Sequence, residues 1–344
     1  MSPATTTPTP PPASLSQLHP DILRMHVLPR LDGPALASAS SSTSYLRSLS
    51  SDDDLWRSIA ESTWPSIAHP LVSQVVSSFP SGHRSFFSDA YPLLDGRLTL
   101  PSKSISEPST LSLISAVDVF YKGEPILSRV QEMETVSRWF TSSPFRVDLL
   151  DEKESVPTPI RGSPSEKAGG DDLDGWLSHI EENLTLSWIL VDPVAKRAAN
   201  MSSLRPVTVH RHWLTGEVQA RYETVLLGRG AEAVCVTGEV RLRPLEGDKE
   251  GAVEASEVSL RAEDVEGKCL SGRESLGAIA GTMTEGKRRK GRGKVEGKMR
   301  YEEYEAMKRK CRERKQRKER VLDLACISLG VTLFLAFWSF LLFR

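Results

Sequence analysis

The chain has 344 residues, room for one sizeable body with flanking segments, and its hydrophobic (39%) and charged (26%) fractions are ordinary for a globular protein. The net charge of −1 hides a split: residues 287–320 hold 17 Lys/Arg against 6 Glu, so an acidic body precedes a basic neck. Cys235, Cys269, Cys311 and Cys326 have no Cys-x-x-Cys spacing, which argues against a disulfide framework or zinc module and for free thiols in a reducing compartment.

Residues 1–13 are rich in Ser, Thr and Pro without an apolar run, and read as a disordered tail rather than a signal peptide. A helical pattern follows. Pro20 suits a first helical position and Asp21 the positive end of the helix dipole; Ile22, Leu23, Met25, Val27 and Leu28 give a broad apolar face, and Pro29 ends it. Asp32 caps a second helix with Pro34 in its first turn, carrying Leu36, Ala37 and Ala39, and Tyr45, Leu46 and Leu49 extend the apolar set. Ser51 opens a third start ahead of Asp52, Asp53 and Asp54, followed by Leu55, Trp56, Ile59 and Ala60 at helical spacing. Three or four short helices within about forty residues bury too little for a self-sufficient core. Such a segment is either a cap on a larger domain or a module that completes itself on a partner.

The order of residues in this segment resembles the F-box. Leu18, Asp21, Ile22, Leu23, Val27, Leu28 and Leu31 stand where that family opens, and Leu55, Trp56 and Arg57 where it closes after an acidic patch. Trp64-Pro65-Ser66 and Phe79-Pro80-Ser81-Gly82 look more loosely like plant-type F-box proteins. The resemblance implies an F-box over 14–64 that docks on a Skp-type adaptor of a cullin ligase core and presents an unknown protein substrate for ubiquitination. It implies adaptor contacts from Leu18, Pro20, Ile22, Leu23, Val27, Leu28, Leu31, Leu55 and Trp56. Trp56 fits an internal core position equally well.

Residues 65–104 read as a Pro/Ser-rich connector with one helix near Val72–Ser78. From there to residue 282 the pattern is one of strands: Ile114–Tyr121 and Pro125–Val130 as a hairpin across Lys122-Gly123-Glu124, then Phe145–Leu150, Leu184–Val191, Arg205–His212, Val218–Leu226, Ala233–Leu242 and Val258–Asp264. Short strands with turn signals predict an antiparallel sandwich, interrupted by a flexible insertion over 151–175. A β-domain after an F-box resembles the phloem-lectin-like architecture of some plant F-box proteins, which implies a substrate-binding role. Chemistry-bearing patterns are sparse. His210 and His212 share one side of a strand without a third ligand, Trp188 and Trp213 suit either a sugar-stacking or a core role, and no phosphate loop or catalytic triad is legible. No cofactor or metal is implied.

The neck over 283–320 is Gly- and Lys/Arg-rich at first, then free of Gly and Pro from Met299 to Arg320, as a helix requires. Leu324–Phe343 follows without a charge, long enough as a helix to cross about 30 Å of hydrocarbon. The predicted span over 321–343 has Arg314, Lys315, Arg317, Lys318 and Arg320 on its flank, so the body should face the cytosol and the chain should be tail-anchored in the endoplasmic reticulum or another endomembrane. Beside a span the basic residues suit membrane lipid better than nuclear import or nucleic acid. With this topology the sequons at Asn183 and Asn200 stay unmodified. The expected architecture is α+β and multidomain: an N-terminal three- to four-helix F-box, a central antiparallel β-sandwich-like domain, and a C-terminal basic helix continuing into a single transmembrane helix. The expected function is a non-catalytic, membrane-anchored receptor of a ubiquitin ligase. The alternative is a tail-anchored β-sandwich that binds a glycan or protein with no ligase role.

Overall fold

The computed structural model describes residues 19–94, 111–163, 170–227, 233–245, 251–286, 288–289 and 294–343. Two compact units divide the chain, Met1–Ser88 and Asp89–Arg344. The tail over 1–13 and Leu18 lie outside the described residues.

The first unit is helical. α1 (Pro20–Ile22) widens into a π-helical turn at Leu23–Val27 and tightens into a 3-10 turn at Leu28–Arg30. α2 (Gly33–Ser42), α3 (Ser44–Leu49) and α4 (Asp53–Thr63) follow, capped by the side chains of Asp32, Thr43 and Asp52. The cap of α4 is therefore Asp52, one residue beyond the expected Ser51, and Asp53 and Asp54 complement its dipole. A 3-10 turn at Pro65–Ala68 leads to α5 (Pro70–Ser77) and α6 (Gly82–Ala90).

α5 occupies the place of the helix expected within the connector over 65–104, the 3-10 turn and α6 add helical structure on either side of it, and residues 95–104 lie outside the described residues. Residues 65–88 belong to the folded unit because the ring system of Trp56 and Trp64 is completed there. Phe87 lies 5.5 Å from Trp56 and 5.4 Å from Trp64, and Phe86 meets Trp64 edge-on at 5.9 Å. Each ring of the set is buried, and offset or edge-on geometry is the favourable one for such pairs. A polar clamp fixes α6 to α4: Asp53 accepts from the backbone N–H of His83 at 2.7 Å and pairs with His83 Nδ1 at 2.9 Å. Gly82 sits at φ +52°, and a Cβ there would lie 2.2 Å from Asp53 Oδ1, so the clamp needs glycine.

In the second unit all strand pairings among the described residues are antiparallel. After β1 (Leu93–Leu94), the hairpin of β2 (Ser112–Tyr121) and β3 (Glu124–Glu134) turns through Lys122-Gly123. α7 (Arg138–Ser142) leads to β4 (Arg146–Asp148) and β5 (Val156–Pro157). α8 (Gly170–Asn183), β6 (Leu184–Asp192), β7 (Arg197–Asn200), β8 (Thr208–Arg211), β9 (Val218–Leu227), β10 (Ala233–Pro244) and β11 (Val253–Asp264) complete the body. α9 (Gly272–Glu285), β12 (Arg288–Arg289), which pairs with β1, and α10 (Lys294–Leu342) close the chain.

One sheet has the order β3-β2-β6-β7 and the other β4-β11-β10-β9-β8, with β5 also on β11. Both contribute to one core. Val236, Val240 and Leu242 of β10 alternate inward with period two and share a cluster with Val117, Val119, Leu186 and Trp188 of the facing sheet. The sheets lie close together at Gly238, where a Cβ would stand 2.8 Å from a methyl group of Leu186.

The expected flexible insertion over 151–175 contributes structure among its described residues. Ile160 is in the core, β5 pairs with β11, and α8 begins at Gly170 and plants Trp176 and Ile180 in the same core. Sequence reading missed α8 because Asp and Gly dominate its start, although Leu173, Trp176, Leu177 and Ile180 have helical spacing. It also missed α9, whose Ser271-x-x-Glu274 capping box is complete: Glu274 N donates to Ser271 Oγ while Glu274 Oε2 accepts from Ser271 N at 2.9 Å.

Candidate docking and membrane interfaces

The nine residues expected to face an adaptor do not share one surface. Leu23, Leu28 and Trp56 are buried, Leu31 and Leu55 half-buried, and Pro20, Ile22 and Val27 exposed; Leu18 lies outside the described residues. The π-helical turn explains the division. Leu28 N–H bonds to Leu23 O, five residues back, so these two side chains fall on one inward face while Ile22, Met25 and Val27 point outward. Pro29 follows immediately, and its missing N–H and bulky ring disfavour a regular helix through this point. Trp56, open in sequence between two roles, is internal: its Nε1 donates to Ser50 O at 2.7 Å. Ile22 (46% exposed), Met25 (69%) and Val27 (40%) therefore form the apolar outer strip of this unit.

In the second unit the outer face of the larger sheet carries a compensated ionic ladder. Glu239, almost fully buried, receives Arg241 at 2.7 Å, Arg261 at 3.1 Å and Arg221 at 3.6 Å. Arg241 continues to Glu257 at 2.8 Å, and Glu257 to Arg146 at 2.9 Å. Burial works to raise the Glu239 carboxyl, but the Arg241 hydrogen bond and the three guanidinium charges hold it below the usual range. The Glu239 carboxylate is thus kept charged by its guanidinium partners.

The same face is partly covered by the neck. Tyr304 of α10 is fully buried with Ala233 and Cys235, and its hydroxyl donates to Asp264 O at 2.6 Å. Lys308 reaches Glu263 at 2.6 Å and Lys315 reaches Glu266 at 3.4 Å. Arg300 donates to Leu94 O. Under the helix Cys235 Sγ donates to Glu223 Oε2 at 3.1 Å. Burial pushes Glu223 up to about 7 and the Cys235 thiol well above its ordinary value. The first half of α10 is thus fixed to the sheet through Tyr304 and Lys308.

Beyond the body α10 continues unbroken, and thirteen large apolar residues from Leu324 to Phe343 are all exposed, Leu333 at 62% and Phe337 at 60% among them. Fully burying each is worth about 1.5–3 kcal/mol, so together they hold roughly 20–40 kcal/mol of transfer free energy. By length and composition this helix is able to cross a membrane. Arg314, Lys315, Arg317, Lys318 and Arg320, the expected flank, are all exposed.

Other candidates resolve simply. Trp188 is a core residue whose Nε1 donates to Ser115 Oγ, whereas Trp213 is 87% exposed at the β8–β9 tip beside His212. Among the described residues no group of His, Cys, Asp or Glu is placed to hold a metal ion. Asn200, in the second sequon, is buried with its amide donating to Ser187 Oγ at 2.9 Å, and Asn183 donates to His179 O at 2.8 Å.

No protein-family model matches the chain, and no solved structure does. Curated proteins do. The chain is 45% identical over 338 residues to the Arabidopsis thaliana F-box protein At2g27310, covering 96% of this chain and 97% of that protein. It is 42% identical to the F-box protein At3g44326 of the same plant, over 91% of this chain and 86% of the relative. It is also 42% identical to the probable F-box protein At2g36090, over 96% and 94%. These likenesses run through the helical unit, the β-body and the neck together, and on them the chain belongs to the F-box protein family.

Proposed function

We propose that this protein is the non-catalytic substrate receptor of a Skp–cullin–F-box ubiquitin ligase, held in a membrane by α10 with its body in the cytosol. The observation that carries the ligase role is membership of the F-box family along nearly the whole chain. The helical unit supports it by presenting Ile22, Met25 and Val27 outward on a scaffold fixed from within by Leu23, Leu28 and Trp56. Such a receptor works by proximity: it holds a target lysine near the ubiquitin carrier and raises its effective concentration, contributing no nucleophile. The exposed apolar helix supports the anchor, and the basic flank supports the orientation.

Co-purification with a Skp-type adaptor tests the ligase role. The Ile22→Asp, Val27→Asp double variant should lose the adaptor while its helices stay folded. Undiminished capture by that variant would remove this strip from the docking surface, and failure of the unaltered chain to bind any Skp-type adaptor would remove the ligase role. Deleting residues 321–344 should move the protein to the soluble fraction, and its retention in membranes would sink the anchor. The alternative, a tail-anchored binding module without ligase function, draws on Trp213 at its exposed tip, and it gains if adaptor binding fails while target binding survives.

A further inference from the structure

The contacts of α10 follow a direction. Tyr301 and Tyr304 pack on Val225 of β9 and Ala233 and Cys235 of β10, and Tyr304 bonds to Asp264 at the end of β11. Lys308 then meets Glu263 and lies against Gly267, Arg312 also lies beside Gly267, and Lys315 reaches Glu266. The helix therefore leaves the body at the loop over 265–269. From Lys315 to Leu324, where the uncharged run begins, nine residues rise about 13 Å. A headgroup layer is about 5–8 Å thick on each side of the hydrocarbon. If α10 spans a bilayer, the loop over 265–269 stands within about 8 Å of the outer edge of the headgroups, less than the roughly 10 Å diameter of a helix, and ordinary helix tilt brings one side of it to them.

α7 shares that rim. Gly272 N–H donates to Ser143 O at 3.0 Å and Phe145 N–H to Leu270 O at 2.8 Å, so the segment carrying α7 is tied to the chain leaving the same loop. α7 exposes Trp139 to 80%, with Val136 just before it at 57%. Arg138, Lys268 and Cys269 are also exposed there. An exposed indole and aliphatic side chain with basic residues, on a segment tied to the chain leaving the loop where α10 departs, has the chemistry of a membrane–water interface, where tryptophan is enriched. The opposite end of the larger sheet, with Trp213, lies about 30 Å away along β10.

We propose that α7 and the loop over 265–269 form a lipid-contact surface. Trp139 and Val136 sit among phospholipid headgroups, and the docked half of α10 acts as a rigid strut that sets the body on the bilayer. This rests on the anchor reading above. The occupant is the phospholipid surface because the strut's length leaves no room for another protein layer between this rim and the membrane.

Nitroxide accessibility in the full chain tests the proposal. Cys269, Cys311 and Cys326 are replaced by Ser, and single labels are placed by Trp139→Cys, Phe334→Cys or Trp213→Cys. Each protein is reconstituted in phosphatidylcholine vesicles, with and without phosphatidylserine, and probed with oxygen and a water-soluble nickel chelate. The label at position 139 should meet the chelate several-fold less often than the label at 213, and the label at 334 should meet oxygen alone. Adding Tyr304→Ala and Lys308→Glu, which frees the strut, should return position 139 to water while 334 stays in lipid. Equal chelate access at 139 and 213, with 334 in lipid, overturns the rim contact and leaves the anchor standing. Chelate access at 334 overturns both.

Discussion

Replacing Trp56 by alanine separates the internal role of this side chain from a docking role. The indole is buried, stacks obliquely on Phe87, and satisfies Ser50 O through Nε1 at 2.7 Å. Truncating a buried aromatic costs about 3–5 kcal/mol, and leaving a buried carbonyl without its donor adds about 1 kcal/mol or more. A loss of about 4–6 kcal/mol consumes much of the roughly 5–15 kcal/mol that stabilises an ordinary domain. Amide hydrogen exchange on the full chain reads this locally. At about 1.4 kcal/mol per tenfold change, protection over Asp53–Thr63 and over 82–88 should fall by about a thousandfold or more. The Ile22→Asp, Val27→Asp variant should leave that protection at its starting level, since both side chains are exposed. Unchanged protection in Trp56→Ala, or an equal collapse in the double variant, would refute the division into inner and outer faces. Under the proposed docking, loss of adaptor capture then has distinct causes in the two variants, unfolding in one and a lost contact in the other.

Other outcomes follow from the same contacts. Gly82→Ala should destabilise the helical unit by about 1–3 kcal/mol in thermal unfolding, because it meets both a left-handed backbone and the Asp53 carboxylate. Glu223 is raised to about 7 in the folded state, so its favourable contribution is complete below about pH 4.5 and lost as pH rises through about 7; Glu223→Gln should flatten stability between those limits, removing a slope worth about 3 kcal/mol. A wild-type stability curve that rises over this window and is unchanged by the substitution contradicts the burial of that carboxyl. Tyr304→Phe should cost about 1 kcal/mol and increase exchange in α10 near residue 304, as its hydroxyl bond to Asp264 O is lost. Asn200→Gln should lower stability rather than change the mass of any glycan, because its amide is a core hydrogen-bond donor.

The boundaries of the helical unit show why some features stayed hidden in sequence. Apolar spacing and caps mark α2 and α4, but nothing local says that Phe86 and Phe87, some thirty residues on, belong beside Trp56 and Trp64. The Pro/Ser-rich composition of residues 65–81 looked like a linker, whereas Pro65 and Pro70 occupy first turns of helices, where a missing N–H costs nothing. The apolar set from Ile22 to Leu28 is legible in sequence as one broad face, and its division into buried and exposed side chains is not, because a regular 3.6-residue period does not anticipate a π-helical turn before Pro29.

The sequence by itself determined the features that depend on near neighbours: the strands β2, β6, β9 and β10 with the alternation of β10, the hairpin at Lys122-Gly123, and the uncharged run from Leu324 to Phe343. Those are written in period, turn chemistry and length. Only the tertiary structure decided which of Ile22, Leu23, Val27, Leu28 and Trp56 face outward, and that the basic neck is bolted to the sheet through Tyr304 and Lys308. Both depend on contacts between residues far apart in the chain. Hydrophobic and charged side chains advertise that they need partners, and the fold alone selects which partners they find.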